Sequence, residues 1–157
     1  MTVLYKSNRL DAGRQRPGAC IRPAPAPALY RLLADSALSR AALDTCGFGI
    51  VLLDAQGPVM ALSYANRAVE RMTGKRADLL VGLPAADALF VEPDALLLEV
   101  LARQAEATRA PASARARLSS LRDRSGSVEV DIALNAVRDV GGALSSWVLS
   151  LHEARTC

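Results

Sequence analysis

The sequence predicts an α+β domain in which two strands are followed by a run of helices and then by three more strands. Two apolar segments, 48–54 and 59–65, are separated by a short turn. Residues 66–108 combine capping residues with apolar side chains at helical spacing. Residues 128–136 alternate between apolar and polar side chains, the period-two pattern of a strand. Because turns join the neighbouring strands, an antiparallel five-stranded sheet is expected.

The N-terminal region is predicted to lie outside this domain. Residues 1–28 are predicted to be a flexible basic leader, and the proline-alanine run at 23–27 favours an extended chain. Residues 29–45 carry apolar side chains at helical spacing and are expected to form an amphipathic helix. The domain itself is assigned to residues 46–154.

The charge distribution argues against nucleic acid as a partner. The chain of 157 residues has a formal charge of +3, of which residues 1–34 contribute +5 and the remainder −2. A globular body of negative charge lacks the basic surface of a nucleic-acid-binding domain. No apolar run approaches the roughly 20 residues of a membrane helix. The N-terminus also lacks the apolar core of a signal peptide, so a cytoplasmic location is expected.

Capping residues mark the first helix inside the domain. The apolar strand at 48–54 is followed by turn-forming residues at 55–58 and by a partner strand at 59–65. The side-chain oxygen of Asn66 can accept from amides two or three residues further on, which makes it a good N-cap. Gly74 can adopt the left-handed conformation that commonly ends a helix. A short helix between these two residues is predicted.

Further helices are predicted before the three final strands. Short helical turns are expected at 76–81 and 84–90. A longer helix is expected to begin with Pro93 at its first position and to run to about residue 108, before Pro111. The remaining strands are predicted at 113–122, 128–136 and 143–152, with turns at 123–126 and 138–142.

This ordered set of motifs resembles the PAS family over about residues 38–154. The landmarks are the strand ending in Asp54, the Asn66–Gly74 helix, the hairpin at 122–126, the turn at 138–142 and the final Leu149-Ser-Leu-His-Glu153. The resemblance implies a five-stranded antiparallel sheet with helices on one face. It also implies a bacterial sensory and dimerisation module without catalytic activity. At the exit, Glu153 and Arg155 stand where the family carries Asp and Thr.

The cysteine and histidine residues that bond to cofactors in PAS relatives are absent from the matching segments of this chain. The segment 82–87 stands where flavin photosensors carry their adduct-forming cysteine, and it contains no thiol. Residues 93–108 contain neither the histidine of haem-binding relatives nor the cysteine of thioester-linked chromophores. The cofactor is therefore unknown, and flavin bound without an adduct remains compatible with the sequence.

Other chemically reactive residues are expected to be structural. His152, the only histidine, is expected at the surface near a strand end. Glu129 and Asp131 share one face of a strand and could form an acid–base pair, but an outward, solubilising position is expected. The three cysteines lack metal-ligand spacing. We therefore predict that the protein is not an enzyme. The alternative from another functional class is a small α+β enzyme of unfamiliar type.

A pocket between the sheet and the long helix is the candidate ligand site. Apolar side chains of the sheet and the helix are predicted to line it. A lining of this kind would suit an aliphatic or aromatic ligand, and the same side chains could instead fill a closed core. The predicted lining residues are Leu97, Leu101, Val130, Ile132, Leu134, Trp147 and Leu149.

The sequence is compatible with two functions. The first is a sensory PAS module that binds a small apolar ligand, forms a homodimer through the helix at 29–45 and signals to an output domain or partner protein. The alternative is a ligand-free PAS domain that acts purely in protein–protein interaction.

Overall fold

The computed structural model describes residues 36–155 of the chain. Residues 36–45 are helical and are called α1. The chain is divided into two units between Ala42 and Leu43, within this helix, and the second unit is Leu43–Cys157. The leader predicted at 1–28 and the first part of the helix predicted at 29–45 lie outside the described residues.

Five strands form one antiparallel sheet in the second unit. Their order is β2-β1-β5-β4-β3, so the last strand in the sequence occupies the centre. Every neighbouring pair is antiparallel, which confirms the sheet predicted from the sequence. The strands are β1 Gly49–Asp54, β2 Leu62–Ala65, β3 Ala112–Ser119, β4 Ser127–Arg138 and β5 Leu144–Glu153.

A run of helices connects β2 to β3. Both predicted caps of α2 are present: Asn66 accepts from the amide of Val69 at 3.4 Å, and Gly74 ends the helix with φ of 73°. Pro93 differs from its prediction, because it precedes a short 3-10 turn as the N-cap instead of opening an α-helix. The helices are α2 Arg67–Thr73, α3 Ala77–Leu80, α4 Ala85–Leu89, the 3-10 turn Asp94–Leu96 and α5 Leu97–Thr108.

The strand predicted at 59–65 is shorter than expected. Tyr64 pairs with Leu52 and Leu62 pairs with Leu53, so one extra residue bulges out of β2 at this point. Before Leu62 the chain leaves the ladder with β1, and Ala61 forms an isolated bridge elsewhere. The bulge and the departing loop together limit β2 to four residues.

The strand predicted at 113–122 also ends early, at Ser119. The residues that follow bind the C-terminal end of α2 instead of continuing the sheet. Ser120 Oγ donates to the carbonyl of Met72 at 2.7 Å, and the amide of Leu121 donates to the carbonyl of Thr73 at 2.7 Å. Carbonyls at a helix end need such partners because they have none within the helix.

The hydrophobic core lies between the sheet and the helices. Alternate residues of β4 and β5 point into it, as the period-two pattern predicted. Leu98, Leu101 and Ala105 of α5 cover them at the i, i+3, i+7 spacing of one helix face. Leu97, which was predicted to line the pocket, is only partly buried, whereas its neighbour Leu98 is 1% exposed.

Candidate functional site

A cavity of about 350 Å³ lies where three segments of the chain meet beside β5. The segments are the β1–β2 loop, the beginning of α4 and the beginning of α5. Trp147 completes the wall from the central strand of the sheet. This volume is at the lower end of the range of small-molecule pockets. The cavity can therefore accommodate a small ligand.

Backbone hydrogen bonds fix the rim of this cavity. The amide of Leu62 donates to the carbonyl of Leu83 at 2.9 Å, and the amide of Gly82 donates back to Leu62 at 2.8 Å. A third bond of 2.8 Å joins the amide of Ala85 to the carbonyl of Met60. The β1–β2 loop and the start of α4 are thus held together without contributions from side chains.

Trp147 supplies the wall of the cavity on the sheet side. It lies in register with Leu53 of β1 and with Ala136 of β4. Its side chain belongs to the core, and the residue is only 4% exposed. Within residues 36–155, no atom accepts a hydrogen bond from its indole Nε1. Met60 and Leu98 add further apolar surface to the same wall.

The polar side chains that line the cavity are all carboxylates. They belong to Asp54, Asp87 and Glu99, and among the described residues no lysine, arginine or histidine joins them in the lining. Asp54 Oδ1 accepts from the amide of Gln56 at 2.8 Å, which shapes the turn after β1. Asp87 and Glu99 lie in the first turns of α4 and α5, where the helix dipole favours acidic residues. The result is a cavity with apolar walls and an acidic rim.

Most of the residues that were predicted to line a pocket do not line this cavity. Trp147 is part of the cavity lining, whereas Leu97 packs at the edge of the core and Leu98 takes the cavity position. The side chains of the others are buried in the closed core and do not line this cavity: Leu101, Val130, Ile132, Leu134 and Leu149.

Sequence reasoning missed most of the actual lining. Met60, Leu98 and Glu99 come from segments that are far apart in the sequence and were not assigned to a site. One signal was available, because the segment 82–87 was already matched to a cofactor-binding stretch of flavin photosensors. Pro84 through Asp87 of that segment line the cavity.

Other residues considered for chemistry have structural surroundings. Asp131 lies on the outward face of β4, where its Oδ1 accepts from Arg115 Nε at 2.9 Å. That hydrogen bond, together with the charge of Asp131, raises the pKa of Arg115. The exposed ring of His152 stacks on Phe48 with 4.5 Å between ring centroids. Glu129 is also exposed.

Residues 36–155 contain neither a candidate metal site nor a candidate membrane-spanning helix. The described histidine, cysteine, aspartate and glutamate residues include no group of three or more that could hold a metal ion. Of the helices in this part of the chain, none combines the length and apolar character needed to span a membrane.

Comparison with known families identifies the fold. A profile of the PAS fold matches residues 37–154. The chain belongs to the PAS family. PAS domains are typically sensory, non-catalytic modules of signal transduction, which agrees with the class expected from the sequence. A search of curated proteins found no match.

Solved structures share the PAS fold at low sequence identity. The PAS domain of a Colwellia psychrerythraea protein has 15% identity and a TM-score of 0.63, over 78% of this chain and 97% of that one. A LOV protein of Rhodobacter sphaeroides has 20% identity and a TM-score of 0.61, over 77% of this chain and 67% of that one.

A larger protein contains the same fold as one part. It is an RNA-binding Light-Oxygen-Voltage receptor with 23% identity and a TM-score of 0.63. The match covers 78% of this PAS chain but only 34% of the receptor. This chain therefore spans about a third of the receptor's length, and the likeness concerns the fold.

Proposed function

We propose that this PAS domain is the sensory and dimerisation module of a bacterial signalling protein, and that it binds a small molecule beside Trp147. The cavity is the observation that carries this proposal. Its occupant would contact the β1–β2 loop, α4, α5 and the central strand at the same time. Binding would therefore couple these four elements through one molecule. Catalysis is not part of the proposed role.

The central strand offers a path for the signal. β5 pairs with β1 on one side and with β4 on the other, and Trp147 lies near its middle. The strand continues to Glu153, the last strand residue of the domain. A ligand that moved Trp147 would shift this strand against both neighbours, a small displacement of packed elements that can reach an output domain or partner protein.

A second copy of the chain is the proposed dimer partner. The apolar stripe predicted for residues 29–45 includes Leu38, which is 70% exposed. An apolar helix face of this kind is stabilised when another surface covers it. We expect the two N-terminal helices to pair about a two-fold axis, because homodimers of this symmetry are the commonest oligomers.

Ligand binding is tested by mass spectrometry and thermal unfolding. Protein purified from its native cytoplasm and then denatured should release a small molecule, and adding that molecule back should raise the melting temperature. At 100 times its Kd, a ligand stabilises the folded state by about 2.7 kcal/mol. Ala86→Phe places a ring at the rim of the cavity and should abolish the shift, whereas Ala143→Phe in the exposed β4–β5 turn should preserve it.

The ligand-free alternative makes the opposite prediction. A PAS domain that acts only in protein–protein interaction would release no molecule on denaturation, and its melting temperature would respond to a partner protein alone. That outcome would remove the sensory part of the proposal and leave the dimerisation part intact.

A further inference from the structure

We infer that the cavity beside Trp147 takes a small organic cation, a protonated amine carried on an apolar or aromatic body. The inference rests on the proposed sensory function, because it names the chemical class of the molecule that the cavity would sense. It differs from the purely apolar ligand expected from the sequence. The difference arises because Asp54, Asp87 and Glu99 lie in the lining, to which no basic side chain of residues 36–155 contributes.

Two of these carboxylates are available to a ligand. Within residues 36–155, the side chains of Asp87 and Glu99 form no hydrogen bond or ion pair, and both residues are exposed at the rim. Asp94, on the 3-10 turn between them in the sequence, shows the contrast. Its Oδ2 accepts from both the amide and Nε of Arg117, at 2.8 and 3.1 Å. The fold thus pairs Asp94 with Arg117, whereas Asp87 and Glu99 have no such cationic partner among the described residues.

The apolar wall suits the body of such a ligand. Trp147, Leu98 and Met60 contribute apolar side chains to the lining of the cavity. An indole face also attracts a cation that lies within about 6 Å of the ring. The cavity therefore favours a molecule that has both an apolar surface and a positive charge.

The indole N–H of Trp147 belongs to a residue of the cavity lining. The residue is only 4% exposed, yet nothing in the described part of the chain accepts from its indole N–H. Buried polar groups in proteins are normally hydrogen-bonded. A ligand with an acceptor atom within reach of the indole N–H would supply such a partner.

Other ligand classes fit the same surroundings less well. An anion would meet three carboxylates and no cationic side chain. A bare metal ion would need several converging oxygen ligands, and the described residues form no group of three that could hold one. A neutral apolar molecule would pack against the apolar side chains of the wall, but it would have no electrostatic attraction to the carboxylates at the rim.

The test uses the intrinsic fluorescence of Trp147, which is the only tryptophan in the chain. The probes are 2-phenylethylamine, 2-phenylethanol and 3-phenylpropionate, which share a phenyl body of similar size and differ in charge. At neutral pH and low ionic strength, the amine should change the emission saturably and bind about tenfold more tightly than the alcohol. The acid should bind most weakly.

Charge-neutralising variants test the role of the rim. The double variant Asp87→Asn/Glu99→Gln should weaken binding of the amine about tenfold and leave binding of the alcohol unchanged. Glu129→Gln makes the same kind of change on the outward face of the sheet and should affect neither probe. Thermal unfolding of each variant checks that the fold is retained.

The outcomes separate this inference from the proposed function. If the alcohol or the acid binds as tightly as the amine, or if the double variant binds the amine normally, the inference is wrong and the cavity remains a ligand site. If no probe binds and denaturation releases no molecule from the purified protein, both the inference and the sensory function are wrong.

Discussion

Asn66 and Ile50 form a reciprocal pair of hydrogen bonds across 16 residues of sequence. The amide of Ile50 donates to Asn66 Oδ1 at 3.0 Å, and the amide of Asn66 donates to the carbonyl of Ile50 at 3.1 Å. Asn66 Nδ2 also donates to the carbonyls of Leu43 and Phe48, at 2.7 and 3.1 Å. The side chain is fully buried and caps α2 through Val69. One residue therefore joins α1, β1 and α2.

Replacing Asn66 should destabilise the domain strongly. Asn66→Ala would leave two amides and two carbonyls without their side-chain partner, so we expect a loss of about 3 kcal/mol in the free energy of unfolding. Urea denaturation followed by circular dichroism measures this loss. Asn135→Ala, at an exposed position of β4, is the matched control and should change stability by less than about 0.5 kcal/mol. Equal effects of the two substitutions would contradict this account of Asn66.

Two glycines with positive φ should respond differently to alanine. Gly74 has φ of 73°, and a Cβ there would lie 2.6 Å from Arg122 Cγ. Gly82 has φ of 90° but open space around the same position. Both substitutions incur backbone strain of roughly 1 kcal/mol, and Gly74→Ala should cost more because Arg122 must move.

A double-mutant cycle isolates the contribution of that contact. Arg122→Ala removes the Cγ atom, so in its presence the loss of stability caused by Gly74→Ala should be smaller than in the parent protein. Unfolding in urea gives all four free energies. An unchanged loss would show that the Arg122 side chain does not limit position 74.

The turn between β3 and β4 contains a carboxylate with a lowered pKa. Hydrogen bonds from the hydroxyl and the amide of Ser125 hold the pKa of Asp123 below its ordinary value. The stability that they contribute is present at neutral pH, and it is lost as the pH falls through the lowered pKa of the folded state. Ser125→Ala removes the hydroxyl and should raise the pKa of Asp123, as measured by NMR titration of its carboxyl carbon.

Ser127→Ala is the control for this titration. It removes a neighbouring hydroxyl that does not bind Asp123 and should leave the pKa of Asp123 unchanged. Because Asp123 is exposed, Ser125→Ala should lower the midpoint of thermal unfolding only slightly at neutral pH, and Ser127→Ala should leave it unchanged. A Ser125→Ala variant with an unaltered titration curve would refute the assigned cause.

The proposed homodimer can be tested at Leu38. Leu38→Glu puts a charge on the apolar stripe of α1, and burial of one leucine contributes about 1.5–3 kcal/mol. In a two-fold dimer the change occurs twice, so sedimentation equilibrium at micromolar concentrations should show monomers. Val140→Glu, in the fully exposed turn after β4, should remain dimeric. A monomeric parent protein would refute the dimer, and a dimeric Leu38→Glu variant would place the interface elsewhere.

Local signals account for the parts of the fold that were predicted well. Asn66 and Gly74 define α2 because capping depends on a residue's own side chain or backbone freedom and on neighbours within four positions. The strand around Ile132 was recognisable because burial on one face of a sheet imposes a period of two. On α5, by contrast, Leu97 and Leu98 both fit a helical stripe with Leu101. Contact with the sheet decided in favour of Leu98.

The sequence by itself determined the PAS fold of this protein, because caps, turns and alternation are encoded in short stretches and occur here in the family's order. Only the tertiary structure decided where the cavity lies. Met60, Asp87, Glu99 and Trp147 meet there because β5 enters the centre of the sheet and the β1–β2 loop bonds to the start of α4. These contacts join distant segments, and no periodicity along the chain records which distant residues will meet.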